Sequence, residues 1–139
     1  MSAPTRLLCI DDDPTHVDPL KNLLRELWPK VEIITAYTLA EGIDAFQRYN
    51  PDMILTDLHL PDSLAEETIT SLASIVPFNT PIVILSGSIA SIEGIRFVAM
   101  GADAFIGKGS PPEIAQRTLL MVWIGCVGRS VRAASHVTV

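Results

Sequence analysis

Short apolar segments alternate with helical patterns along this chain, and this alternation restricts the fold more than any other feature. The apolar segments are a few residues long and stop at acids or turn residues, as buried strands do. The stretches between them carry apolar residues at helical spacing. The apolar segments are residues 6–10, 31–35, 53–57, 82–85 and 104–106. Strands that alternate with helices predict an α/β fold, in which a five-stranded parallel sheet is doubly wound with helices on both faces.

The length of the chain, 139 residues, is enough for one domain with a core of its own. We expect this domain to span residues 1–126, with a last helix that ends at about Cys126. Residues 127–139 are small and polar with scattered valines, and we expect them to form a loosely ordered C-terminal tail.

Capping signals predict where the helices begin. Asp13 followed by Pro14 is typical of an N-cap with proline at the first helical position. The segments 38–41 and 63–66 both have the spacing of a capping box. The segment 91–100 predicts a weaker helix, because Gly94 costs on the order of 1 kcal/mol relative to alanine.

Composition and charge exclude several classes of protein. The net charge of −6 argues against direct binding to nucleic acid, which requires a basic surface. The apolar run 118–128 is too short to span a bilayer, and residues 1–5 do not resemble a signal peptide. We therefore expect a soluble cytoplasmic protein without a membrane span, in which Cys9 and Cys126 are buried free thiols.

Polar side chains follow four of the predicted strands. The segment Met53 to Asp57 is apolar until it ends on the carboxylate of Asp57. Three other strands are followed by polar residues in the same way, namely by Asp11 and Asp12, by Ser86, and by Lys108. Because the carboxyl ends of parallel strands meet at one edge of the sheet, these side chains should converge there, where open α/β folds place their sites.

Three carboxylates at one edge repel each other, and a pair about 4–5 Å apart costs roughly 3–4 kcal/mol at an effective dielectric constant near 20. Such a cluster needs a cation. Oxygen ligands without histidine or cysteine favour a hard ion, Mg²⁺ first and Mn²⁺ as a substitute. With Lys108 and a hydroxyl nearby, the set fits the transfer of a phosphoryl group to Asp57 as a carboxylate nucleophile.

Four motifs in this order and spacing make the chain resemble the receiver domain of two-component response regulators. The motifs are Ile10 to Pro14, Leu55 to Asp62, Ile84 to Gly87 and Ala102 to Lys108. The resemblance covers residues 6 to 126 and implies a flavodoxin-like (βα)5 fold. It also implies a phosphorelay protein that receives phosphate from a phosphohistidine of a histidine kinase or of a histidine phosphotransfer protein.

The resemblance assigns a role to each polar residue. Asp57 would be the phosphoacceptor, and Asp12 and Asp57 would bind Mg²⁺ directly. Asp11 would act on the metal through water, and the backbone carbonyl of His59 would complete the protein ligands. Lys108 would hold a phosphoryl oxygen and pair with Asp57 when that residue is unmodified.

The switch residues are also implied by the resemblance. Ser86 would move its hydroxyl onto the phosphate, and Phe105 would turn inward behind it, although simple core filling remains an alternative for Phe105. The chain departs from the family in having Gly109 where proline usually follows the lysine. A cis bond before glycine costs about 3–4 kcal/mol, so we expect this peptide to be trans.

Some residues near the motifs have plain structural interpretations. Asp13 is interpreted as a helix cap, Asp62 as a turn or cap residue, and His16 as a surface residue of the first helix. His59 could tune the hydrolysis of the phosphoaspartate or be an exposed loop residue, and the sequence leaves both open.

The last helix is apolar on every side over residues 119–124, whereas a surface helix should show one stripe. Our hypothesis is that its outer face, around Leu120 and Trp123, docks a second protomer or another partner. We expect no enzymatic activity beyond self-catalysed phosphoryl transfer and autodephosphorylation, and an output by protein–protein contact. The alternatives are a receiver-like interaction module that is not phosphorylated, and a phosphatase with an aspartyl intermediate.

Overall fold

The structure, a computed structural model, describes residues 3–87 and 96–138, with side chains described as far as residue 127. Its centre is one sheet of five parallel strands in the order β2-β1-β3-β4-β5. The strands are β1 (Arg6–Ile10), β2 (Glu32–Ala36), β3 (Met53–Asp57), β4 (Ile82–Ser86) and β5 (Ala104–Gly107). This is the parallel α/β architecture that the alternation of patterns predicts.

Helices cover both faces of the sheet. They are α1 (Pro14–Leu27), α2 (Leu39–Tyr49), α3 (Ala65–Ile75), α4 (described over residues 96–99) and α5 (Pro112–Thr138). Strand residues alternate between two cores: Leu8 and Ile54 pack with α2, α3 and α4, while Leu7 and Leu55 pack with α1 and α5. The doubly wound arrangement is therefore confirmed.

The predicted ends of α1 and α2 agree with the structure. The carboxylate of Asp13 accepts a hydrogen bond from the backbone N–H of Thr15, so Asp13 is the N-cap of α1. Thr38 caps α2 in the same way, and Asn50 ends that helix in the left-handed conformation at φ 49°. The Lys108–Gly109 peptide is trans, as expected.

The predicted start of α3 is wrong. The N-cap is Leu64, which makes no side-chain capping bond, and the hydroxyl of Ser63 instead bonds the hydroxyl of Thr68 at 2.7 Å. Thr68 also donates to the backbone carbonyl of Leu58. These contacts tie the loop after β3 to the first turn of α3, and they explain why Ser63 does not cap the helix.

The residues 88–95 lie outside the described part of the chain, so the predicted start of the helix at 91–100 is not seen. Its end is at Gly101, which has φ +126°. A Cβ at that position would lie 2.7 Å from the Cβ of Ala73. Glycine is therefore required here both for its backbone conformation and for the close approach of α3.

Helix α5 corrects two predictions. It continues to Thr138 and does not end near Cys126, so the segment that we expected to be a loose tail is helical, in keeping with the lack of proline after Pro112. Trp123 does not face outward: it is buried and packs edge-on against Trp28, with ring centroids 6.5 Å apart. Because residues 119–124 are all apolar, no apolar stripe showed which face of the helix would be buried.

Among the side chains of α5 that the structure describes, the exposed large apolar ones are Ile114, Met121 and Ile124. Both cysteines are buried and neither is in a disulfide bond, and burial raises the pKa of the Cys9 thiol to about 12. Within the described parts of the chain, we find no helix with both the length and the hydropathy of a membrane span.

Candidate functional site

The register of the sheet brings the predicted residues to one edge. Ile10 pairs with Thr56, so Asp11 follows next to Asp57 at the ends of β1 and β3. Asp57 pairs with Leu85, and Ser86 pairs with Gly107, so Ser86 and Lys108 follow at the ends of β4 and β5. Because all five strands are parallel, their carboxyl ends form a single rim, and the convergence that the sequence predicts is observed.

Lys108 lies at the centre of this rim. Its ammonium nitrogen is 2.9 Å from Oδ2 of Asp57 and 3.0 Å from Oδ2 of Asp11. The three side chains are 18%, 13% and 3% exposed, so the ion pairs are shielded from bulk water. Burial lowers the pKa of Lys108, but the hydrogen bonds and charges of Asp57 and Asp11 outweigh it and raise this pKa above its ordinary value.

Carboxylate oxygens of three residues, Asp11, Asp12 and Asp57, lie within 4.8 Å of one another. Asp11 and Asp57 are buried, whereas Asp12 is exposed at the mouth of the cluster. One lysine cannot neutralise three carboxylates, so the cluster retains negative charge at short range. The ligands in this cluster are all oxygens, they lie close together, and their negative charge is only partly neutralised. Mg²⁺ and Mn²⁺ prefer such ligands.

The remaining oxygens of the two buried acids have backbone partners. Oδ1 of Asp57 accepts from the backbone N–H of His59 at 3.3 Å, and Oδ1 of Asp11 accepts from the backbone N–H of Asp13 at 2.9 Å. The buried hydroxyl of Thr56 donates to the carbonyl of Asp57 at 2.8 Å. Both carboxylates are thus held in fixed orientations by the loops that follow their strands.

The two proposed switch residues lie on β4 and β5 in different environments. Ser86 is buried, and its carbonyl accepts from the backbone N–H of Lys108 at 2.9 Å, which ties the ends of β4 and β5 together. Phe105 is 37% exposed on β5, and it belongs to neither core cluster. Simple core filling therefore does not describe Phe105.

His16 is a surface residue of α1, as predicted, but its contact with the site was not predicted. Its side chain is 44% exposed, and Nδ1 lies 2.9 Å from the ammonium of Lys108 and 3.5 Å from Oδ2 of Asp11. His16 stands in the first turn of α1, three residues after the Asp13 cap. The sequence signal for this contact was that His16 closely follows the three adjacent acids. A side chain in the first turn of a helix that begins at the rim lies close to that rim.

The sequence also missed the partner of Asp62. Asp62 lies in the turn after β3, as predicted, and its carboxylate also accepts from the backbone N–H groups of Leu39 and Ala40, at 2.8 and 3.0 Å. These N–H groups belong to the first turn of α2, so Asp62 links the loop after β3 to another helix. Hydrogen bonds from Ala40 and Leu39 lower the pKa of Asp62.

A cavity of about 360 Å³ opens beside the lysine. Its polar side is formed by Asp11, His16 and Lys108, and its apolar side is formed by residues of α1 and α5 that include Leu20 and Leu119. The cluster is therefore accessible from the side of α1.

A family model described as response regulator receiver domain matches residues 7–119. The chain is also 36% identical over 106 residues to the cell cycle transcriptional regulator CtrA of Caulobacter vibrioides. The aligned region covers 74% of this chain and 43% of CtrA. The chain thus spans less than half the length of the curated relatives it matches.

Solved structures show the same fold. NtrX from Brucella abortus superposes with a TM-score of 0.83 at 18% identity, over 96% of this chain and 30% of that one. A CheY-like receiver domain protein from Methanospirillum hungatei superposes with a TM-score of 0.79 at 22% identity, over 91% of this chain and 99% of that one.

Proposed function

The chain belongs to the response regulator receiver domain family, and from this premise we propose that it accepts a phosphoryl group on Asp57. The donor is a phosphohistidine of a histidine kinase or of a histidine phosphotransfer protein. The observation that carries the proposal is the contact of Lys108 with both buried acids, Asp57 at 2.9 Å and Asp11 at 3.0 Å. A partly buried lysine shared by two carboxylates at the sheet rim places a cation where a phosphoryl oxygen would arrive.

In the proposed transfer, a carboxylate oxygen of Asp57 attacks phosphorus. The P–N bond of the donor breaks with its electron pair on the imidazole nitrogen, and a P–O bond to Asp57 forms. The hydrogen bond from the backbone N–H of His59 keeps the Asp57 carboxylate oriented away from the end of the strand. Lys108 exchanges its contact with Asp57 for a contact with an equatorial phosphoryl oxygen, where negative charge must be neutralised.

Asp12, Asp57 and the carbonyl of His59 would hold Mg²⁺, with Asp11 acting through water. When bound, the metal supplies neutralising charge to the phosphoryl oxygens. The exposed position of Asp12 fits this role, because a metal with several waters and a phosphate ligand needs an open side.

We propose that the signal leaves by protein–protein contact. The hydroxyl of Ser86, buried at the end of β4, would bond the phosphate, and the half-exposed Phe105 would turn inward behind it. Such a movement biases a two-state surface on β4, β5 and the helices next to them. Trp123 is packed inside, so a docking surface on α5 would use exposed side chains such as Met121 and Ile124.

The test is incubation with Mg²⁺ and acetyl phosphate, followed by intact mass. We expect one added phosphoryl group on the wild type, and none without Mg²⁺. Asp57→Asn should add none, whereas Asp52→Asn, a change at the opposite rim, should phosphorylate like the wild type. An unmodified wild type under these conditions would favour the interaction module, and turnover of a phosphomonoester would favour the phosphatase.

A further inference from the structure

The ammonium of Lys108 has three protons and three acceptors. Besides Oδ2 of Asp57 and Oδ2 of Asp11, the third acceptor is Nδ1 of His16, at 2.9 Å. An ammonium can only donate, so Nδ1 must be the unprotonated ring nitrogen and the imidazole proton must be on Nε2. The lysine is therefore saturated with hydrogen bonds.

The other side of the imidazole ring faces a carboxylate. Nε2 of His16 lies 3.5 Å from Oδ2 of Asp13, which is longer than a hydrogen bond but close enough to favour the proton on Nε2. Asp13 is itself fixed, because its Oδ1 accepts from both the backbone N–H and the hydroxyl of Thr15. The N-cap of α1 thus orients the histidine that contacts the lysine.

We propose that His16 is a positioning residue, which holds Lys108 on the α1 side of the site while Asp57 is phosphorylated. This inference rests on the proposed function. When the phosphoryl group is added, the contact between Lys108 and Asp57 must be exchanged for one with a phosphoryl oxygen. Asp11 and His16 keep the other two protons occupied, so the third proton stays aimed at Asp57 throughout.

The fixed orientation has a kinetic consequence. Without an acceptor at the position of Nδ1, the ammonium can rotate and tilt, and its remaining contacts are both with carboxylates. A donor that is not aimed beforehand stabilises the transition state less. The effect should appear in the rate at saturating phosphodonor, because His16 orients a group and does not contact the donor.

The experiment compares His16→Ala with His16→Asn. The Oδ1 atom of asparagine takes the place of Nδ1 and can accept from Lys108, whereas alanine cannot. With Mg²⁺ and saturating acetyl phosphate, His16→Ala should be phosphorylated roughly five- to tenfold more slowly, the factor that about one net hydrogen bond gives. His16→Asn should recover to within about twofold of the wild type. Asp18→Ala, an exposed change on the same helix, should have no effect.

A second measurement does not depend on phosphorylation. The ¹⁵N chemical shift of the Lys108 side chain in the unmodified, Mg²⁺-free protein should move in His16→Ala and return towards the wild-type value in His16→Asn. A wild-type rate in His16→Ala, an equal loss in both variants, or an unchanged Lys108 resonance would overturn the proposal. If the wild type itself gains no phosphoryl group, the proposed function fails, and the resonance alone decides whether His16 holds the lysine.

Discussion

Acids stand at both rims of the sheet, but they have different partners. At the amino ends of the strands, Asp52 accepts from the backbone N–H groups of Thr5 and Arg6, at 2.7 and 3.2 Å. Asp103 accepts from the backbone N–H of Ile82 at 2.8 Å. At the carboxyl ends, Asp11, Asp12 and Asp57 face one another, and Lys108 pairs with Asp11 and Asp57.

The difference separates structural acids from the acids of a site. A carboxylate that accepts from strand N–H groups provides the hydrogen bonds that these groups lack where the sheet begins. The same hydrogen bonds stabilise its negative charge without a cation. Three carboxylates that face each other destabilise the fold by repulsion, and they are retained where a cation or a phosphoryl group uses them. Substitutions at the two rims should therefore have different, and in one case opposite, effects.

Lys108→Met should have the largest effect. It leaves Asp57 and Asp11 buried without a cation, which should lower the free energy of unfolding by about 3 kcal/mol. It should also slow phosphorylation at least about 100-fold, the loss typical of one removed oxyanion donor. Urea unfolding and intact mass measure the two effects.

Lys30→Met is the control, because Lys30 is exposed. It should change neither stability nor phosphorylation. If Lys108→Met were as active as the wild type, the central role of the ammonium would be refuted.

Asp12→Asn should separate metal binding from stability. Loss of a proposed direct ligand should weaken Mg²⁺ at least about tenfold, as even outer partners of metal ligands do. Without metal, the same variant should be more stable than the wild type by about 1 kcal/mol, because the repulsion of exposed Asp12 with Asp11 and Asp57, both within 4.8 Å, is removed. Calorimetric titration and metal-free unfolding are the measurements. Unchanged affinity would show that Asp12 is not a ligand.

Asp52→Asn should have the opposite effect on stability. The substitution replaces a charged acceptor by a neutral one, which weakens the hydrogen bonds from two backbone N–H groups. The free energy of unfolding should therefore fall by about 1 kcal/mol. Its Mg²⁺ affinity should equal that of the wild type, as measured by the same titration. If both variants changed stability in the same direction, the contrast between the two rims would be wrong.

Asp62→Ala should have a smaller effect that depends on pH. The lowered pKa of Asp62 means that its charged form is favoured by the fold. The stabilisation is present above the ordinary aspartate pKa and is lost as the pH falls through the lowered pKa. We expect the variant to melt a few degrees below the wild type at pH 7, with a gap that closes in acid. A gap independent of pH would show that the charge does not matter.

The sequence was sufficient to predict the fold and the acid–lysine cluster. Both depend on local signals, since a strand that ends on an acid can be read from its own residues and parallel strands place their ends together. The pairs Asp57–Lys108 and Asp11–Lys108 follow from that topology without knowledge of any loop. Asp13 as a cap was local as well.

The contacts that were missed are made through space between loops or helix faces. Asp62 bonds N–H groups in α2, and no periodicity relates it to Leu39. His16 reaches Lys108 because of the angle at which α1 leaves the rim. Trp123 is buried because α5 packs on Trp28. Since α5 is apolar on every side here, its sequence does not show which face packs on the sheet.

A crystal structure with beryllofluoride and Mg²⁺ tests the central claim most directly, because beryllofluoride bonds a carboxylate as a phosphoryl group would. We expect the beryllium on Asp57, the metal between Asp12 and Asp57, and the ammonium of Lys108 on a fluorine. Beryllofluoride absent from Asp57 at saturating concentration, or a metal bound away from these acids, would contradict the account.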